Sequence, residues 1–255
     1  MSTYKNVFIT KMYLLLTKIK KMNYKTVLLA VTILFLAFSI KAQEQKEINV
    51  TSFNEVKFEG SAQWVLIPSD EDKVIIESKS EDVFDYIKVD QGGNLLTIST
   101  TDKNKNITKL FKSVTINVYF KSLKSVSLSG TGSVKAKEKF NASKFTATLR
   151  GSGNMYLDVQ CTEFIGNMYG TGELNVTGAA DKSTVRVEGV GGFDGYEFIT
   201  SYMDVTVSGV GGAKVHATDR LTATLNGVGS IRYKGEPKTK NLDVNGVGNI
   251  KKAKD

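Results

Sequence analysis

The chain has 255 residues, one cysteine, one histidine and a formal net charge of +8. A lone Cys161 cannot form a disulfide within the chain, and one cysteine with one His216 cannot build a structural zinc site. The basic balance is not a nucleic-acid signature, because residues 1–42 hold seven lysines and no acid, which leaves +1 on the remainder.

In chain order, Lys20, Lys21 and Lys25 precede an apolar run over residues 27–38, followed by Ser39-Ile40-Lys41-Ala42-Gln43. A basic start, an apolar run and a small residue at the end describe a secretory signal peptide, with cleavage expected after Ala42. The run is short of the roughly twenty residues that a bilayer span needs. A secretory leader usually begins with its basic residues directly, as Met22-Asn23-Tyr24-Lys25 does, so the start is read as either Met1 or Met22. Residues 1–42 are therefore a leader, and the protein is expected to be exported to the periplasm, the cell surface or the medium.

Residues 43–120 carry strand-like runs over 55–58, 64–67, 73–77, 86–89, 95–99 and 113–120. Gln91-Gly92-Gly93-Asn94 reads as a hairpin turn. Phe58-Glu59-Gly60-Ser61-Ala62 reads as a worn copy of the unit that dominates the second half. This stretch is expected to be an N-terminal β cap with the first coils.

Residues 121–255 repeat a Gly-x-Gly unit seven times. The glycine pairs are Gly130 and Gly132, Gly151 and Gly153, Gly170 and Gly172, Gly189 and Gly191, Gly209 and Gly211, Gly227 and Gly229, and Gly246 and Gly248. Their first members are 18 to 21 residues apart, a period that means a solenoid whose coils bury their apolar faces on one another. Apolar residues two apart flank each pair, for example Leu149 before and Met155 and Leu157 after, which places one strand entering the corner and another leaving it. The glycines mark a corner where backbones pack closely, and the middle column is small or β-branched throughout: Thr131, Ser152, Thr171, Val190, Val210, Val228 and Val247. The expected fold is all-β: a single β-solenoid, like a right-handed parallel β-helix, with about 19 residues per coil and 43–255 as one domain. The tail Lys251-Lys252-Ala253-Lys254-Asp255 is expected to blunt the far end against edge pairing.

The string Val114-Thr115-Ile116-Asn117-Val118-Tyr119-Phe120, then Leu123, then Val126-Ser127-Leu128-Ser129-Gly130-Thr131-Gly132, resembles the autotransporter adhesin head GIN domain family, long described only as a domain of unknown function. Phe53-Asn54-Glu55-Val56 and the later Gly-x-Gly coils fit it too, over roughly residues 50–250. The resemblance implies a secreted, β-helix-like protein of the Bacteroidetes type. It supplies no catalytic residues.

The residues point away from catalysis. No Gly-x-Ser-x-Gly elbow is present, since Arg150-Gly151-Ser152-Gly153 is a repeat unit. No aspartate follows the second glycine, which disfavours a calcium-binding repeat, and no phosphate-binding loop or cofactor motif is found. The outward carboxylates Asp158, Glu173, Glu188 and Asp194 fall in different columns. What remains is surface. One outward column holds Ser129, Arg150, Tyr169, Glu188, Ser208, Asn226 and Asn245. Another holds Lys135, Tyr156, Asn175, Asp194, Lys214, Arg232 and Lys251. Tyr156 and Tyr169 are the expected contact residues for a ligand, because a phenol combines flat apolar area with a polar tip.

The main reading is a secreted or envelope protein, not an enzyme, that binds a surface, glycan or other polymeric partner without metal, cofactor or nucleic acid. A second reading is a structural element whose face mates with a second copy or another envelope protein. A third is a carbohydrate-active enzyme on a β-helix. Edman sequencing of the exported protein is expected to begin at Gln43; recovery of an intact Met22 start in the membrane fraction overturns the leader assignment.

Overall fold

The computed structural model describes residues 44–101, 111 and 114–253. The leader, Met22, the cut after Ala42 and the last residues of the tail, Lys254 and Asp255, lie outside them. Six strands build the N-terminal part: β1 (Glu44–Asn49), β2 (Glu55–Pro68), β3 (Lys73–Ser78), β4 (Ile87–Gly92), β5 (Leu95–Thr100) and β6 (Thr115–Phe120). Long strands carry the coils: β7 (Ser125–Ala136), β8 (Phe140–Gly151), β9 (Asn154–Met168), β10 (Thr171–Val187), β11 (Val190–Val207) and β12 (Val210–Leu225). Three short ones follow: β13 (Val228–Lys234), β14 (Thr239–Val244) and β15 (Val247–Lys252).

The strands form a β-solenoid of about seven turns with about 19 residues per coil. Coil stacks on coil in parallel from β2 through β7 to β15. The antiparallel pairs β1–β3, β3–β6 and β4–β5 are confined to the N-terminal end. There β4 and β5 form the hairpin read from Gln91-Gly92-Gly93-Asn94, and Gly93 takes φ +59°, which the tight turn requires. A 3-10 segment, Glu81–Tyr86, breaks the strand pattern; alternation gave no sign of it. The worn copy is a true coil, since Gly60 pairs Gly130 and Ala62 pairs Gly132.

The corner explains the glycines. Each middle residue donates its backbone N–H to the first glycine carbonyl of the preceding coil: Val190 to Gly170 at 3.0 Å, Val210 to Gly189 at 2.8 Å and Val228 to Gly209 at 2.9 Å. That same carbonyl lies against the α-carbon of the glycine stacked over it. A Cβ on Gly170 would meet the oxygen, nitrogen and carbon of Gly151, all closer than 3.0 Å. At Gly211 the second column adds a φ of +149°, where an L side chain is strained in any case.

Inside, the alternation delivers two apolar columns per strand. On the entering face Leu128, Leu149, Met168, Val187, Val207 and Leu225 stack in register, each at most 1% exposed. On the leaving face Val134, Met155, Leu174, Phe193, Ala213 and Ile231 stack likewise, each at most 3% exposed. A chain of rings links the middle coils: Phe120 to Phe140 at 5.5 Å, Phe140 to Phe145 at 5.0 Å, Phe145 to Phe164 at 6.4 Å, and Phe164 to Phe198 at 5.0 Å. The column of Phe145 and Phe164 continues as the small Ser183, and Phe198 from the next coil reaches Phe164. Register shifts between Asp194 and Ile199 widen that coil. The aromatic segment 193–202 is therefore divided by the wall it forms: Phe193 and Phe198 are buried, and Tyr202 is exposed.

Two outcomes follow from this packing. Gly170→Val or Gly209→Val is expected to cost about 1–3 kcal/mol of stability, as overpacking against fixed backbone does. Ser129→Ala, on the outer side, is expected to change the urea midpoint little; equal midpoints for the two kinds of variant overturn the stacked-corner account. Cys161 is buried, and burial, reinforced by Asp181 and Glu163, pushes its thiol up to about 11. It is expected to react with iodoacetamide at pH 8 far more slowly in the native protein than in urea. Because the folded value lies above the ordinary 9.0, this thiol's contribution to stability is full below pH 9 and is lost as pH rises through about 11.

Candidate functional site

Parallel stacking with matched corners turns each outward residue of a coil into one rung of a ladder. Neighbouring strands lie about 4.8 Å apart, so side chains on successive rungs touch. The leaving-strand ladder is Lys135, Tyr156, Asn175, Asp194, Lys214, Arg232 and Lys251, rung for rung. Within it Lys214 bonds Asp194 at 2.8 Å, which holds the ammonium above its ordinary pKa. Beside it Tyr196 bulges outward from the widened coil, with Lys234 at 4.9 Å and Lys214 at 5.7 Å from its ring centroid. His216 faces outward, half-buried, its Nδ1 3.0 Å from the carbonyl oxygen of Tyr196.

The ladder before the glycines behaves similarly. The Arg150 guanidinium lies 4.4 Å from the Tyr169 ring centroid, and Asn245 donates from Nδ2 to Oδ1 of Asn226 at 3.2 Å. Tyr156 and Tyr169, the expected contact residues, are 42% and 37% exposed. The structure does not bring them into one cluster: Tyr156 stands between Lys135 and Asn175 after the corner, and Tyr169 stands on Arg150 before it. All fourteen corner glycines lie in the two stacked columns, where they shape the wall and offer no side chain. Of the carboxylates Asp158, Glu173, Glu188 and Asp194, Glu173 and Asp194 both act on Lys214. Asp194 is engaged by Lys214, and Asp158 lies 3.8 Å from Lys139. Among the described residues no group of three or more His, Cys, Asp or Glu side chains could hold a metal ion.

A third ladder was not read from the sequence. Lys144, Glu163, Lys182, Tyr202, Arg220 and Thr239 stack on the entering strands. Tyr202 is 42% exposed, and the Arg220 guanidinium sits 5.7 Å from its ring centroid. Beside this ladder run Thr184, Asp204 and Thr222, and the two together border an open groove of about 500 Å³. Ser183 and Met203 lie between them, and Ser183 Oγ is buried without a hydrogen-bond partner among the described residues. The signal was available: each member of the ladder stands seven residues before a first glycine, from Lys144 before Gly151 to Thr239 before Gly246. A smaller groove of about 200 Å³ lies at Tyr156, Asp158 and Asn175. The chemistry offered is that of shallow recognition: phenol faces, guanidinium and ammonium donors, threonine hydroxyls and one carboxylate.

The described residues thus define a β-solenoid with a repeated outer face and shallow grooves. Residues 52–237 match the family described as "Putative auto-transporter adhesin, head GIN domain", and the chain belongs to that family. Its fold is that of a putative adhesin from Bacteroides fragilis, at 24% identity and a TM-score of 0.78, covering 84% of this chain and 98% of that one. A structure from Parabacteroides distasonis described as a putative lipid binding protein is similar at 24% identity and a TM-score of 0.66, with the same coverage. A putative adhesin from Parabacteroides merdae follows at 20% identity and a TM-score of 0.60, again covering 84% and 98%. No match is found among curated proteins. The family supports an adhesin-like role, and such a role implies a surface or exported protein. Among the described residues no helix is long and apolar enough to cross a membrane.

Proposed function

We propose that the protein is a non-catalytic, exported adhesin-like module that holds an extended, glycan-type polymer against the side of its solenoid. The observation that carries this reading is the open groove bordered by Lys182, Tyr202 and Arg220 on one ladder and by Thr184, Asp204 and Thr222 on the next. A phenol face accepts the apolar face of a sugar ring, while the guanidinium, hydroxyls and carboxylate bond its hydroxyl groups. The groove is open, so a chain can pass along it and continue over neighbouring rungs. Tyr156 with Asn175, and Tyr169 with Arg150, supply further stations for the same polymer. Each contact is weak alone, and a polymer that meets several at once is retained through effective concentration. Binding without turnover is supported by the ion pairing of Asp194 and Asp158 with lysines.

The test is retention on immobilised bacterial polysaccharides, read by surface plasmon resonance. The double variant Tyr202→Ala, Arg220→Ala is expected to bind roughly tenfold or more weakly than the parent, a loss of about 1.4 kcal/mol or more. The variant Tyr156→Ala, Tyr169→Ala is expected to lose less, with both variants keeping the parent's circular dichroism. Undiminished binding by the first variant refutes the groove, and release of oligosaccharides by the parent refutes the non-catalytic reading.

A further inference from the structure

The two ends of the solenoid differ in packing and in charge. At the N-terminal end the stack is extended past β2 by β5 and β4 on the entering face and by β6, β3 and β1 on the leaving face. Phe53, Val83 and Val114 close the core there, each at most 2% exposed. At the C-terminal end no described residue covers the last coil. Leu242 and Val244 continue the inward columns of Ala223 and Leu225, yet they are 40% and 44% exposed where their predecessors are 0% exposed. Every residue of β14 is exposed. A solenoid end with its apolar columns open is an unfinished interface, because each coil depends on a neighbour to exclude water.

Charge divides along the same axis. Residues 44–120 carry 13 carboxylates against nine lysines, and 12 of those carboxylates with only five of the lysines fall in 44–101. Residues 210–253 carry eight Lys and Arg against three carboxylates. The strands at the two ends follow suit. β1 holds Glu44 and Glu47 with one lysine, Lys46, and Glu47 lies 3.9 Å from Lys73; β14 and β15 together hold Lys240, Lys251 and Lys252 with one carboxylate, Asp243, and Lys252 pairs with Glu236.

We propose that the open C-terminal end of one copy docks on the acidic N-terminal end of a second copy, head to tail, with β15 meeting β1. Both strands are six residues long, and among the described residues each pairs on one side, β1 with β3 and β15 with β13. Two antiparallel steps, β6 to β3 and β3 to β1, return β1 to the direction of the coils, so β15 and β1 meet as a parallel pair and continue the ladder. Backbone groups along the two outer edges then pair with each other, as in strand addition at any sheet edge. The lysines of β14 and β15 repel a second C-terminal end, and Glu44 and Glu47 repel a second N-terminal end. The edge charges therefore select against like-to-like pairs and for the heterologous contact, which does not close on itself and yields open chains. Such a chain would prolong the side ladders from one copy into the next.

The test is sedimentation velocity on protein recovered from expression of the full chain, without any glycan, so its outcome is independent of the groove. At about 0.01 M NaCl, where charges reach about 30 Å, the mean sedimentation coefficient is expected to climb with protein concentration; at about 1 M, where they reach about 3 Å, it is expected to return to the monomer value. Lys240→Glu with Lys251→Glu makes the terminal strands at both ends net acidic, and Glu44→Lys with Glu47→Lys makes them net basic at both ends. Each variant alone is expected to remain monomeric with parental circular dichroism, and an equimolar mixture of the two is expected to associate again. A parent that stays monomeric at low salt overturns the proposal, whether or not another partner takes the open end. So does a closed dimer that grows no further, or a pair of variants that fails to recover association on mixing.

Discussion

One hydrogen bond per coil sets the geometry of the whole wall. The N–H of the residue between the two glycines donates to the first glycine carbonyl of the coil before, as Val210 does to Gly189 at 2.8 Å. That bond fixes the carbonyl oxygen directly against the α-carbon of the next glycine in the column. Hydrogen at that carbon fits, and a methyl group does not. The corner can repeat only as glycine over glycine, so every coil must begin its leaving strand at the same phase. Once the phase is fixed, inward and outward positions are fixed on both flanking strands. Buried columns and exposed ladders are two consequences of the same contact.

The interior meets this constraint with unequal side chains. Columns such as Leu128, Leu149, Met168 and Val187 fill the wall near the corner, where spacing is regular. Farther from the corner the coils differ in length, and aromatic rings take up the difference. The run of contacts from Phe120 to Phe198 crosses between columns, not along one. Where the Phe145 and Phe164 column narrows to Ser183, Phe198 of the next coil packs edge-on against Phe164. Close packing is thus kept by exchanging volume between coils, which a strict repeat could not do.

The outer face inherits the order of the corner but not its chemistry. Rungs in one ladder vary freely in type, so cations, phenols, amides and carboxylates alternate along the axis. Neighbouring rungs of opposite sign pair, as Lys144 does with Glu163 at 2.9 Å and Lys238 with Asp219 at 2.7 Å. Such exposed pairs contribute little to stability, and their value is in positioning. The same freedom lets acidic residues gather toward one end and basic residues toward the other. Within the solenoid this separation runs along the direction in which the coils stack.

The sequence by itself determined the corner, the period and the columns nearest to it. Seven glycine pairs and the alternation beside them located the buried Leu149 and Met155 and the outward ladder from Lys135 to Lys251 without any tertiary information. Even Gly60-Ser61-Ala62 was legible as a coil, because Ala is the smallest departure from the rule. These are consequences of steric exclusion and of two-residue alternation, both written within a few residues of one another. The 3-10 segment at Glu81–Tyr86, the inward turn of Phe198 and the meeting of Tyr202 with Arg220 were not legible. They depend on register between coils, which shifts at Asn175 and again after Asp194, and no local pattern records a shift between strands twenty residues apart. Tertiary structure alone decided that Leu242 and Val244, which continue the inward columns of Ala223 and Leu225, are exposed. Their sequence pattern is that of core residues, and only the place of their coil, with none stacked beyond it among the described residues, exposes them.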